Sequence, residues 1–265
     1  MKKVYMLIIA ASLGFGIIGC GGGGSSVKEL AKITASNAED IIKSYTFGAK
    51  TSEATFLIGS LLNELCVSGD RDVTTNGDLT TLSYDNCKIN SGGNFIYIDG
   101  KVTYKTITFT NVDIKEYDNL KVTLSSGAKI TIKDGKAYYK EQSSGEYTGN
   151  TKSSVVYSHG GNTSKTDNLS LELSGDNSKD VINIKGYSKL YSVDKWIHIV
   201  TNVSTTEYST DSCPKSGKIT LEGDDSYLEI IHNSDTSVTV RVNGDFLQNY
   251  TCSNFNSKFW DHAIY

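Results

Sequence analysis

From Leu79 onward, apolar and polar residues alternate with a period of two. Leu120, Val122 and Leu124 are separated by Lys121 and Thr123. Leu169, Leu171 and Leu173 are separated by Ser170 and Glu172, and Val238, Val240 and Val242 by Thr239 and Arg241. Ile219 and Leu221 flank Thr220. Neighbouring side chains of a strand point to opposite faces, so each segment has one dry face and one wet face. Turn formers lie between the segments, and Asp99-Gly100, Asp134-Gly135 and Asn243-Gly244 read as hairpin turns. No helical pattern of about 10–15 residues intervenes, which excludes a parallel sheet with helical crossovers. The expectation is a mainly β (α+β) fold. A large antiparallel meander of roughly ten to fourteen strands, curved or half-barrel-like, fills residues 67–265.

Residues 27–66 differ. Ser36-Asn37-Ala38-Glu39 has the spacing of a capping box, in which the serine caps and the glutamate reaches back. Ala38, Ile41, Ile42 and Tyr45 then fall on one helical face. Thr46 to Lys50 break the pattern around Gly48, and a second stripe follows at Ala54, Leu57, Ile58, Leu61, Leu62 and Leu65. Two N-terminal helices packed on the sheet are expected, the second ending at Cys66. An internal echo runs through the β region. YDNLKVTLSSG (117–127) matches TDNLSLELSG (166–175), and IKDGKAYYK (132–140) matches IKGYSKLYS (184–192). These segments, about 117–140 and 166–192, point to a duplicated meander unit.

The chain begins with Lys2 and Lys3, followed by an apolar run from Val4 to Ile18 broken only by Ser12. A bilayer-spanning helix needs about 20 apolar residues, so the run fits an export signal over residues 1–19. Ile17-Ile18-Gly19-Cys20 resembles the lipobox of bacterial lipoproteins. The resemblance implies cleavage before Cys20, a diacylglycerol on its thiol and acylation of its amine with a fatty acid such as palmitate. Gly21 to Ser26 then form a flexible tether. Membrane attachment through an N-terminal lipid follows, with the outer membrane of the cell envelope as the expected address.

Four cysteines remain in the exported chain: Cys66, Cys87, Cys213 and Cys252. An even number in an exported protein argues for disulfides. Of the three pairings, Cys66–Cys87 with Cys213–Cys252 encloses two compact turn-rich segments. A zinc site lacks both a CxxC motif and a nearby histidine.

The formal charge of −4 becomes −6 without Lys2 and Lys3, and no basic run is present. Nucleic acid is therefore not an expected partner. None of His159, His198, His232 and His262 sits in a G-x-S-x-G or H-E-x-x-H context. His159 lies in the turn-like Ser158-His159-Gly160-Gly161. Asp70, Asp72, Asn76 and Asp78 make an oxygen-rich stretch that loosely resembles a calcium loop. Its glycine comes late and no closing glutamate follows, so a plain polar turn is the simpler reading. Tyr138, Tyr139, Tyr187, Tyr191 and Trp196 lie in the repeated strands, while Phe255, Phe259, Trp260 and Tyr265 crowd the C-terminus. They read as packing partners or as a ligand surface.

The whole is similar to bacterial lipoproteins that carry an ITxSNAE helix start, here Ile33 to Glu39, then a C…SG…YxNC module and a β-meander. A curved sheet over a helix is also similar to half-barrels that carry lipids or lipoproteins between membranes. The expected function is a non-enzymatic binding or structural role, with an apolar ligand or an envelope protein as partner and no cofactor. The alternative is a surface hydrolase acting on glycans or peptides, which requires carboxylates or a histidine converging in one cleft.

Overall fold

The computed structural model describes residues 28–61, 65–91, 94–107, 112–141, 145–176, 178–193, 195–208, 214–233 and 237–260. The expected signal, Cys20, the tether, Cys213, His262 and Tyr265 lie outside them. Among the described residues thirteen strands form one open antiparallel sheet in strict sequence order. The first six are β1 (Ser68–Asn76), β2 (Leu79–Ser91), β3 (Asn94–Ile107), β4 (Val112–Thr123), β5 (Lys129–Glu141) and β6 (Tyr147–His159). Next come β7 (Asn162–Gly175), β8 (Lys179–Lys189), β9 (Ile197–Tyr208) and β10 (Ser216–Gly223). β11 (Ser226–His232), β12 (Ser237–Val242) and β13 (Asp245–Thr251) end the series. The alternation expected from sequence is realised. Leu120, Val122, Leu169, Leu171, Ile219, Leu221, Val238 and Val240 all face one buried side, called the inner face. Lysines and acids occupy the outer face.

Helix α1 (Ala38–Leu61) covers the inner face, lying against β5 to β9. At 1.5 Å per residue it is about 36 Å long. It is continuous where two helices were expected. Gly48 is part of it, and a Cβ there would come within 3.3 Å of Leu169 Cδ2 and Ser188. The glycine is a point of close approach to the sheet, not a break. Beside it, Ser44 Oγ accepts from the Leu190 amide at 3.1 Å, and Ser188 Oγ donates to the Ser44 carbonyl at 2.6 Å. The stripe from Ala54 to Leu62 lies outside the described side chains. Leu65 is exposed, and Cys66 lies beyond the helix. The capping box is not formed. Ser36 Oγ meets Thr34 Oγ1 at 2.9 Å, the Ile41 amide bonds the Asn37 carbonyl at 3.1 Å, and Glu39 pairs with Lys258.

The first and last described segments fold back on the sheet. Residues 29–33 lace across the loops at one end of the strands. The Ala31 amide donates to the Trp196 carbonyl, Trp196 to Glu29, Asp224 to Ala31, and the Ile33 amide to Ser226 Oγ. At the other terminus, α2 (Cys252–Phe255) and a π-helical turn (Asn256–Trp260) press Phe255 and Phe259 onto Tyr250, with ring centroids 5.0–5.9 Å apart. Thr46 Oγ1 of α1 donates to the Phe259 carbonyl at 2.9 Å. Cys66 and Cys87 are joined by a disulfide, closing a loop worth about 3 kcal/mol in the chain-entropy model. Cys252 is also disulfide-bonded, and its expected partner Cys213 lies outside the described residues.

Of the three expected hairpin turns, only Asn243-Gly244 is one, joining β12 to β13. Asp99-Gly100 and Asp134-Gly135 lie inside β3 and β5, at irregularities in the pairing. These belong to a set of β-bulges. Asp85-Asn86, Asp118-Asn119 and Asp167-Asn168 each place an extra residue in a strand. In all three the asparagine has φ of 46–48° and donates its side-chain N–H to the preceding aspartate, at 2.9–3.3 Å. A glycine stands opposite each. A Cβ on Gly69 would sit 2.2 Å from the Asn86 carbonyl oxygen, one on Gly100 2.7 Å from that of Asn119, and one on Gly186 2.6 Å from that of Asn168. The echo between 117–127 and 166–175 thus encodes the same bulge twice. Bulges bend a strand and increase its twist, which curves a long sheet. Gly186 has φ of 136° as well as the close contact. Gly186→Ala is therefore expected to cost more than about 2 kcal/mol in urea denaturation. An unchanged midpoint would show that the bulge tolerates a side chain.

Candidate functional site

The bulges also shape the outer face. Between β3 and β7 a groove of about 480 Å³ opens on it, within the range of small-ligand clefts. Sheet register brings its lining together. Lys101 pairs with Asp118, Asp118 with Asp134, and Asp134 with Ser154. One row along, Thr103 pairs with Glu116, Glu116 with Lys136, and Lys136 with Lys152. The bulged Asn168 closes the far wall, and Tyr117, Gly135 and Ser153 contribute to the lining between the rows. Lys136 and Glu116 form an ion pair. Lys101, Lys152 and Asp134 make no ion pair among the described residues, so the groove presents cations and anions side by side. Asp118 and Asp134 stand directly opposite each other on one face, where Cβ atoms are about 5 Å apart.

One wall continues into a polar row across β7 to β10. Asp167 accepts from Ser154 Oγ at 3.0 Å and pairs with Lys28, the first described residue. Burial raises the Asp167 carboxyl, but the hydrogen bonds from Lys28 and Ser154 outweigh it and hold it below the usual aspartate range. Lys28 also lies over the rings of Tyr187 and Trp196, 4.9 and 5.5 Å from their centroids. Tyr187 stacks on His198 at 4.7 Å, and His198 Nδ1 is 2.8 Å from Glu222. Sequence reasoning did not single out this arrangement, because its members are spread from Lys28 to Glu222. Their shared position on wet strand faces was the available signal.

The candidates singled out from sequence are dispersed. His159 is an exposed residue beside the Gly160-Gly161 turn. Asp70 and Asp72 are exposed along β1, Asn76 ends that strand, Asp78 lies in the β1–β2 turn, and Asp78 pairs with Lys105 at 2.8 Å. Among the described residues no group of three or more histidine, cysteine, aspartate or glutamate side chains is placed to hold a metal ion. Tyr187 and Trp196 join the row above, and Tyr191 is exposed. Tyr139 donates to Glu141 at 2.8 Å. Phe255 and Phe259 belong to the core. Asp180, held above the usual range by burial against the opposing hydrogen bond from Tyr147, does not line the groove.

Comparison with protein-family models, with curated proteins and with solved structures finds no match. Among the described residues no helix is long and apolar enough to cross a membrane.

His232 illustrates how the inner face treats charge. It is buried, its ring packs edge-on against Phe255 with centroids 6.3 Å apart, and Nδ1 has no hydrogen-bond partner among the described residues. Burial pushes its pKa from 6.5 down to about 4. The unfolded chain binds a proton here below about pH 6.5, whereas the folded chain does so only near pH 4. Stability therefore falls as pH drops through that window and levels off below it, by about 3 kcal/mol in all. Urea titrations at pH 7 and pH 4 are expected to show this loss reduced by that amount in His232→Leu. An equal loss in both proteins would assign the acid sensitivity elsewhere.

Proposed function

We propose that the chain is an envelope lipoprotein anchored through Cys20, with a non-enzymatic binding role, and that its binding surface is the outer-face groove between β3 and β7. The groove itself carries the reading. Its volume suits a small ligand, and Lys101, Lys152 and Asp134, unpaired among the described residues, suit one with both carboxylate and ammonium or hydroxyl groups. A peptide or glycopeptide of the envelope has that chemistry. The inner face is a weaker candidate for an apolar ligand, because α1 and the C-terminal aromatics already pack there.

The opposed Asp118 and Asp134 give the hydrolase alternative a specific motivation. One experiment separates the two readings. Soluble peptidoglycan fragments are titrated against the protein by calorimetry, and the fragments are then recovered and weighed by mass spectrometry. Binding with fragments recovered intact is expected, and Lys152→Glu is expected to weaken it at least tenfold, about 1.4 kcal/mol. Cleaved fragments would favour the hydrolase, and no heat with either protein would remove the groove as the site. Cys20 is tested apart from this, by the mass of the mature N-terminal peptide. A mass lacking acyl chains would end the anchor reading.

A further inference from the structure

The same outer face, at the strand ends where Lys28 emerges, carries an excess of positive charge on a protein that is negative overall. Of the acids that border it between β3 and β9, Asp99 pairs with Lys121, Asp167 with Lys28 and Glu29 with Lys195, whereas Asp134, next to Lys133, belongs to the groove and makes no ion pair among the described residues. Lys129 and Lys133 of β5 and Lys165 of β7 are exposed and make no ion pair among the described residues. Lys165 stands directly opposite Lys189, so like charges face each other across a strand pair. Such pairs are destabilising within a sheet. Aromatic rings flank this basic area on both sides. On β3, Phe95 and Tyr97 are 41% and 44% exposed. In the β8–β9 connection Tyr191 is 57% exposed and Trp196 is half-buried. Lysines between tyrosine and tryptophan rings suit a membrane–water interface, where the rings sit among headgroups and the ammonium groups meet anionic lipid.

We infer that this end of the outer face docks on a bilayer surface bearing anionic headgroups. The length of chain outside the structure supports it. Cys20 to Lys28 spans at most about 28 Å when fully extended, whereas a thirteen-residue strand such as β5 is about 43 Å long. With Cys20 in the membrane, the domain cannot turn this end away from the headgroups by more than the tether allows. The Lys28–Asp167 pair holds the first described residue at this end of the sheet. Phosphate groups then neutralise Lys129, Lys133 and Lys165.

The location of the bilayer rests on the anchor reading, and the experiment keeps the two apart. The full chain is reconstituted into vesicles of phosphatidylcholine alone, or of phosphatidylcholine and phosphatidylglycerol in equal parts. Accessible lysines are acetylated and quantified by peptide mass spectrometry. On the anionic vesicles, labelling of Lys129, Lys133 and Lys165 is expected to drop about threefold or more and to recover in high salt. Lys140 and Lys179, at the opposite strand ends, are expected not to change. Equal labelling on both vesicles would overturn the docking face. The variant Lys129→Glu/Lys133→Glu/Lys165→Glu changes only exposed side chains, and its melting temperature reports whether it folds. It is expected to lose salt-sensitive co-sedimentation with phosphatidylglycerol vesicles, and undiminished co-sedimentation would also overturn the inference. If the Cys20 peptide carries no lipid, the anchor reading fails, while the co-sedimentation result still decides the face.

Discussion

A meander sheet bonds each strand only to its sequence neighbours, so by itself it is a ribbon with local contacts, as in repeat proteins. In this chain the long-range connection is α1 lying against five strands. Its contact with β5 to β9 also joins strands that are not neighbours, such as β5 and β9, which no backbone hydrogen bond connects directly. The approach is made close by Gly48 and held by Ser44, whose backbone and hydroxyl both bond to the end of β8. The C-terminus then ties β13 to the same helix through Thr46 and Phe259, and through Glu39 and Lys258. Glu29 and Ala31 tie the β8–β9 and β10–β11 loops together. The apolar inner face is thereby buried without closing the sheet into a barrel.

An open sheet leaves two edges, and exposed edges invite pairing with other chains. Strand β1 carries Asp70, Arg71 and Asp72 along its exposed length. Charges on an edge oppose the stacking of identical chains, because like groups would meet. Strand β13 is shielded in part by the turn into α2. Its last residue, Thr251, caps that helix by accepting from the Asn254 amide.

The dry and wet positions of the strands were legible because a period of two is a direct consequence of strand geometry. The Cys66–Cys87 bond was legible from the even cysteine count and the spacing. The bulges were not. Asp-Gly and Asp-Asn favour positive φ in a hairpin turn and in a bulge alike. What separates the two is the strand that lies opposite, which local sequence does not show. Asp99-Gly100 therefore reads as a turn, whereas Gly100 stands in mid-strand because the Asn119 bulge comes so close to it. Gly48 misled for a related reason. Glycine lowers helix propensity, but here the missing side chain lets the helix approach Leu169 and Ser188.

The groove was hidden by the same limit. Alternation marks Lys101, Asp118, Asp134 and Lys152 as wet, but a one-residue slip would scatter them, and the bulges set the slip at each strand pair. The position of the groove follows from those bulges. Asn168 belongs at once to the β7 bulge and to the groove wall, and Asp167 beside it holds Lys28 on one oxygen and Ser154 on the other. Lys28 and the groove wall therefore share one carboxylate. Asp167 thus links Lys28, the first described residue, through Ser154 to the wall of the groove.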